Sequence, residues 1–309
     1  MCLRPPSCVT PAPSAGTSFN KMPKSIKKRG SEAFEEYYTS IYQERWPALR
    51  ASLLASKNQV ARQNQFVPNR DSKWVSPDSV SQHDSRCSES NLREYYFMDL
   101  ASCWAAEILP LPDGGGEILD LCAAPGGKSL ILAERMHSAA SLTLNELSPQ
   151  RRHRLKNVLR DYVPEDTLQR IQVTGHDGSR WGLHHPDRYD AILLDAPCSS
   201  ERHVLGKQSE LEQFTLNRTK NLATRQYALL AAAWQSVKPG GWIVYSTCSI
   251  SPKENDAVVE KLIKKKGAQV RAIDTELYEG ESTDYGLLVL PDKTSHGPLF
   301  ISQIFKPAE

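Results

Sequence analysis

From Glu117 onward the chain alternates short apolar runs with amphipathic ones, and this alternation limits its possible folds more than any other feature. Apolar runs at Glu117–Leu121, Leu142–Asn145, Ile171–Thr174, Tyr189–Leu194, Trp242–Ser246, Gln269–Ala272 and Phe300–Phe305 read as strands. Between them, Lys128–Arg135, Pro149–Asp161, Thr219–Val237 and Pro252–Lys266 carry helical spacing. The turns Asp113-Gly114-Gly115-Gly116 and Pro239-Gly240-Gly241 mark strand entries. Strand, helix and strand in succession predict an α/β fold, a doubly wound and mostly parallel sheet covered by helices on both faces.

Upstream the pattern differs. Residues 32–56 read as helical, with Phe34, Tyr37, Tyr38, Ile41 and Tyr42 on one face and Pro47 opening a second short helix. Residues 57–92 are polar and poorly periodic, as expected of an irregular arm. Helix resumes near Glu94, its face supplied by Tyr95, Met98, Leu100, Ala101 and Trp104, and ends before Pro110. Residues 1–31 hold six basic and no acidic residues with five prolines, so they are expected to be a disordered basic tail or a targeting segment, unless Met22 is the true start. The predicted organisation is therefore a tail (1–31), a small helical N-terminal extension (32–112) and a catalytic domain (113–309).

Composition removes several classes. No stretch approaches 18 uncharged apolar residues, so no membrane span is expected. The net charge of +2 does not by itself mark a nucleic-acid binder, so such a function must rest on where the charges sit. The seven cysteines form no CxxC pair and are odd in number, which argues against a disulfide scaffold or a zinc cage and for a reducing compartment. No metal is expected, and nothing demands more than a monomer.

One end of the predicted sheet gathers chemistry. The string Leu121-Cys122-Ala123-Ala124-Pro125-Gly126-Gly127-Lys128-Ser129 leads from a strand through a small-residue turn into a helix, the expected floor of a ligand pocket. It is neither GxGxxG nor a P-loop. Glu146 closes the next strand, 26 residues after Asp120, where an acidic side chain accepts from a ribose diol in adenosine-binding sites. Asp177 follows the third strand and is expected beside an adenine. Two further strands end in thiols: Asp195-Ala196-Pro197-Cys198-Ser199 and Ser246-Thr247-Cys248-Ser249. In a parallel sheet these ends share the edge of the turn, so two thiols, one carboxylate and a cofactor site converge. A lone buried cysteine is usually a small hydrophobe, but two at pocket-facing strand ends suit covalent catalysis.

Through Leu121–Ser129, Asp195–Ser199 and Ser246–Ser249 the chain closely resembles the Sun/NSUN (RsmB/Nop/Sun) family of RNA 5-methylcytosine methyltransferases, from about residue 32 to the C-terminus. The resemblance implies a class I S-adenosylmethionine-dependent methyltransferase with a seven-stranded, Rossmann-like sheet. It implies that Cys248 is the nucleophile, adding to cytosine C6, and that Cys198 aids product release. Cofactor contacts are implied at Cys122, Ala123, Ala124, Pro125, Gly126, Gly127, Lys128, Glu146, Arg151, Asp177, Gly178 and Asp195. Asp195 is also the candidate acid at cytosine N3. The continuation Ser199-Ser200-Glu201-Arg202-His203-Val204 departs from the family's Gly-rich form. Together with Glu94–Asp99 it resembles the branch with the mitochondrial enzymes of small-subunit ribosomal RNA or tRNA. The expected address is mitochondrial if the source is eukaryotic and cytoplasmic if bacterial.

Arg202 and His203, with Pro197, are expected to touch substrate at the pocket mouth. Arg151, Arg152, Arg154, Lys156 and Arg160 crowd one helix; Arg151 is expected to face the cofactor and others to hold phosphates. The target base must leave its stack, so single-stranded or distorted RNA is the expected partner. Two rivals stand beside this reading. One is a non-catalytic RNA-binding assembly factor that keeps the fold. The other is an S-adenosylmethionine enzyme acting on DNA, protein or a small molecule. An Asn/Asp-Pro-Pro-Tyr motif for amino methylation is absent from the sequence.

Overall fold

The alternation of Ile118 with Leu119, and of Ala191 and Leu193 with Ile192 and Leu194, separates the two faces of one sheet. Leu119, Ile192 and Leu194 pack into one buried cluster, and Ile118, Ala191 and Leu193 into a second. The computed structural model describes residues 28–56, 58–68, 73–80 and 85–308. Residues 1–27 of the expected tail lie outside the described residues; its last two, Gly30 and Ser31, already open the first helix.

In chain order the strands are β1 (Val60–Gln63), β2 (Trp74–Val75), β3 (Tyr95–Met98), β4 (Gly116–Asp120), β5 (Ala140–Asn145), β6 (Ile171–Thr174), β7 (Tyr189–Asp195), β8 (Val237–Thr247), β9 (Gln269–Arg271), β10 (Glu281–Ser282), β11 (Leu287–Val289) and β12 (Leu299–Phe305). The main sheet runs β10-β11-β12-β8-β7-β4-β5-β6. Strands β6, β5, β4, β7 and β8 are parallel, while β12 returns antiparallel to β8. Strands β11 and β9 share the outer edge of β12, pairing with its two halves. Among the described residues the sheet has nine strands where seven were expected, because the short β10 and β11 form a hairpin too brief to show as periodic runs.

The extension also differs from expectation. Helices α1 (Gly30–Tyr42) and α2 (Trp46–Leu54) are present, and α3 (Leu100–Glu107) starts on the Asp99 cap, whose carboxylate accepts from the Ala101 amide at 2.9 Å. Tyr95–Met98, read as helix, is a strand, and the polar arm supplies β1 and β2, so a three-stranded antiparallel sheet β2-β1-β3 forms. The aromatic run Tyr95-Tyr96-Phe97-Met98 favours extended backbone, and its partner Val60–Gln63 lies far upstream, a pairing that local periodicity cannot show. Buried Arg62 on β1 pairs with buried Glu134 on α4 (Gly127–Arg135), fastening this sheet to the main domain.

Helix α5 (Pro149–Tyr162) begins with Pro149 behind a Ser148 cap, so it starts immediately beyond Glu146. Helices Leu216–Ser236 and Asp256–Lys266 pack on the opposite face with α1 and α2. Strand β4 leads through α4 to β5 on one side, while β7 lies on its other side. The strand order thus reverses between β4 and β7, and a crevice opens there at the carboxyl ends of the strands.

Candidate active site

At that crevice the strand ends deliver Cys122 from β4, Glu146 from β5, Asp177 from β6, Asp195 and Cys198 from β7, and Cys248 from β8. Asn145 laces the cofactor side together. Its amide donates to the carbonyls of Leu121 (3.2 Å) and His176 (3.0 Å) and accepts from the His176 amide (2.9 Å).

The turn Cys122–Lys128 is built by packing as much as by ligand geometry. Gly126 sits at φ +120, and a Cβ there would press on Leu155 and Val158 of α5 at 3.1 Å; a Cβ on Gly127 would lie 2.6 Å from the Tyr96 ring. Both positions therefore need glycine for the turn to pack against α5 and Tyr96. Ala123 and Ala124 are buried while Pro125 is exposed. No side chain caps the N-terminus of α4, so its first amides remain for a ligand. Burial, aided by the charge of Asp120, raises the Cys122 thiol well above its ordinary value.

Glu146 is buried and accepts from the Ser148 amide at 2.9 Å, with Arg151 at 3.4 Å from its other oxygen. Arg151 also donates to the Ala124 carbonyl at 2.5 Å, joining α5 to the turn. Asp177 is exposed; hydrogen bonds from the hydroxyl and amide of Ser179 depress its carboxyl and cap the short turn at buried Gly178.

Lys128 joins the two halves of the site. Its ammonium donates to Asp195 Oδ2 at 2.9 Å and to Ser102 on α3 at 3.2 Å, while Ser246 donates to Asp195 Oδ1 at 2.8 Å. Burial disfavours the charge on Lys128, but the Asp195 carboxylate more than offsets it and holds the ammonium above its ordinary value. Below this pair, Asp120 is fully buried; desolvation lifts its carboxyl to about 7 despite a 2.7 Å hydrogen bond from Ser129.

The two thiols meet. Cys198 Sγ lies 3.0 Å from Cys248 Sγ, and Ser200 Oγ lies 3.2 Å from Cys248 and 3.7 Å from Cys198. Both cysteines are half-buried. The contact with Cys198, with help from Ser200, lowers Cys248 despite burial, while the same contact and burial raise Cys198. Of the two, Cys248 is therefore the thiol that gives up its proton more readily. Ser200 holds φ 55, the left-handed region that side chains avoid, and this turn brings its hydroxyl to the sulfurs.

Behind the thiols stand residues that the sequence reading passed over. Glu201 accepts from Tyr38 of α1, from Ser199 and Ser249, and from the Ile250 amide. Glu254 accepts from the Ser199 amide at 3.0 Å and Gln226 at 2.7 Å; burial, with the charge of Glu201, lifts it to about 7. Tyr37 reaches Ser251 and Tyr42 reaches the Ile250 carbonyl, both at 2.7 Å. The only sequence signal was Glu201 itself, in the segment that departs from the Gly-rich form.

The expected substrate contacts divide. His203 is exposed and Pro197 half-exposed beside Cys198. The Arg202 guanidinium instead donates to the carbonyls of Ala55 (3.1 Å) and Gly297 (3.0 Å), joining the end of α2 to the loop before β12. Two of its nitrogens are thus held by the protein's own backbone. On α5, Arg152 turns back to the Glu146 carbonyl at 2.7 Å, whereas Arg154, Lys156 and Arg160 are exposed.

A parallel core with β12 reversed against β8, and strand-end carboxylates around an uncapped helix start, define the class I methyltransferase fold. The chain belongs to the 16S rRNA methyltransferase RsmB/F family, whose model matches residues 107–305. It is 37% identical over 241 residues to the 5-cytosine rRNA methyltransferase NSUN4 of Xenopus tropicalis, covering 72% of this chain and 59% of that protein. It is 33% identical over 245 residues to the mitochondrial tRNA (cytosine(34)-C(5))-methyltransferase of Danio rerio, covering 75% and 66%. The crystal structure of NSun6 from Pyrococcus horikoshii with SFG superposes with a TM-score of 0.62 at 26% identity, covering 74% of this chain and 57% of that one. The chain thus spans about three fifths of the length of the frog relative.

Proposed function

We propose that the protein is an RNA (cytosine-5)-methyltransferase that uses S-adenosylmethionine and works through a covalent bond between Cys248 and cytosine C6. The observation that carries this reading is the 3.0 Å meeting of Cys198 and Cys248 beside the Lys128–Asp195 pair. The residues suit the cofactor: α4 presents uncapped amides, Glu146 offers acceptor oxygens at the ribose position, and Asp177 and Gly178 border the adenine side. Bound there, S-adenosylmethionine supplies a methyl group on a sulfonium.

The Cys248 thiolate forms the bond to C6, and the ring's electrons move to C5, which then acts as the nucleophile toward that methyl. Asp195, held between Lys128 and Ser246, is the acid at N3, giving it a proton as negative charge builds there and taking it back when the C5–C6 double bond is restored. After transfer the C5 proton passes to water, its electron pair restores the C5–C6 double bond, and the bond to Cys248 breaks. Cys198, the thiol that holds its proton more firmly, donates to the departing sulfur. The substrate is ribosomal or transfer RNA, bound with the target base unstacked; the exposed Arg154, Lys156 and Arg160 offer phosphate contacts. The working form is a monomer, in the mitochondrion if the source is eukaryotic.

Transfer of tritiated methyl to total RNA tests the reading. Cys248→Ala is expected to abolish transfer, and Cys198→Ala to accumulate an RNA–protein adduct stable in denaturing gels. Persistent transfer in Cys248→Ala overturns it. An adduct formed through Cys198 points instead to the DNA-enzyme arrangement, in which the Pro-Cys thiol attacks.

A further inference from the structure

We infer that Glu201 is a positioning residue for the two-thiol reaction, its buried carboxylate gathering donors from both cysteine loops and so fixing how Cys198 meets Cys248. This rests on the roles proposed above for the two cysteines. Glu201 is fully buried. Its Oε1 accepts from the hydroxyls of Tyr38 (2.5 Å), Ser249 (3.0 Å) and Ser199, and its Oε2 accepts from the Ile250 amide at 3.1 Å. Ser199 follows Cys198 and Ser249 follows Cys248, so one carboxylate grips the immediate neighbours of both sulfurs. The two serine hydroxyls themselves lie 3.1 Å apart.

These four partners are neutral donors, and only an acceptor-only group satisfies all of them at once. A glutamine of the same shape turns an N–H toward one of these donors and leaves a buried group unpaired. Packing alone does not call for a carboxylate here. Tyr38 adds a third element, bringing α1 of the N-terminal extension to the same point. Glu254 and Asn255 hold the loops from the other side, through the Ser199 amide at 3.0 Å and the Ser249 carbonyl at 2.9 Å. Glu201 is where both loops end on the same atom.

The test uses the full chain with Glu201→Gln, and Tyr38→Phe as a milder variant that removes one donor of four. Attack is made by the Cys248 sulfur, which Cys198 only helps to ionise, whereas release needs Cys198 in register as the donor, so the variants should weigh more on release than on attack. Steady-state turnover in Glu201→Gln is expected to fall about a hundredfold, the scale of a small misplacement of reacting groups. Over the same interval the denaturant-stable RNA adduct should rise relative to product, with Tyr38→Phe shifting that ratio in the same direction by about tenfold less. A folded Glu201→Gln protein that loses adduct and product in parallel, or keeps wild-type turnover, overturns the proposal. If Glu201→Gln does not fold, an unchanged adduct-to-product ratio in Tyr38→Phe overturns it instead. Failure of the underlying reading looks different: Cys248→Ala then still transfers methyl.

Discussion

The sulfur of Cys198 stands 3.0 Å from that of Cys248, although the two residues lie at the ends of different strands and 50 positions apart. Parallel pairing of β7 with β8, in which Asp195 aligns with Ser246, brings them together, and the left-handed turn at Ser200 adds a hydroxyl to the pair. The contact lowers Cys248 and raises Cys198, so the two thiols differ in how readily they ionise.

That division is open to chemical modification. Iodoacetamide should label Cys248 before Cys198 in the folded protein, as read by peptide mass spectrometry. Cys198→Ala removes the contact that most lowers Cys248, so the pH midpoint of Cys248 labelling should rise. A midpoint that stays put or falls refutes that effect of the contact.

The Lys128–Asp195 pair spans the crevice from the cofactor turn to the thiol side. Lys128→Met leaves Asp195 with Ser246 as its remaining donor and should lower kcat/KM by about a hundredfold, roughly 3 kcal/mol. Initial rates of methyl transfer measure this, and a loss under about threefold shows the pair to be dispensable.

Glu254 makes stability depend on pH. Burial first, and the charge of Glu201 next, lift its carboxyl from 4.5 to about 7. Between those values the folded protein binds more protons than the unfolded chain. The contribution is therefore fully present below pH 4.5 and is lost as pH rises through about 7. At about 1.4 kcal/mol per unit, the effect is on the order of 3 kcal/mol. Glu254→Gln keeps an acceptor for Ser199 and Gln226 without the ionisation, so its melting temperature relative to wild type should climb between about pH 5 and pH 8. Parallel melting curves across that range contradict the assignment.

Arg62 and Glu134 form a pair in which both side chains are buried. Glu134→Ala strands the guanidinium and should cost about 3–5 kcal/mol, whereas Arg62→Met with Glu134→Leu should recover most of that loss. Urea denaturation of the two variants beside wild type decides. Equal destabilisation by the single and double changes rules out the charge as the cause.

What the amino-acid order determined by itself was local and periodic. The apolar runs placed the five parallel strands to within a few residues, since a buried strand must be apolar along its length whatever its neighbours are. The turn Cys122–Lys128 and the strand-end residues Asp195, Cys198 and Cys248 were also legible, because carboxyl-end placement follows from strand direction alone. Tertiary structure decided everything that depends on distant partners. Tyr95–Met98 became a strand only because Val60–Gln63 lay beside it. The Arg202 guanidinium found the carbonyls of Ala55 and Gly297, 147 and 95 positions away in the chain. Glu201 gained its place because Tyr38, Ser199 and Ser249 converge on it from three separate elements. Hydrogen bonds between residues 50 to 163 positions apart leave no period in the sequence; they exist only once the sheet has fixed the ends of its strands.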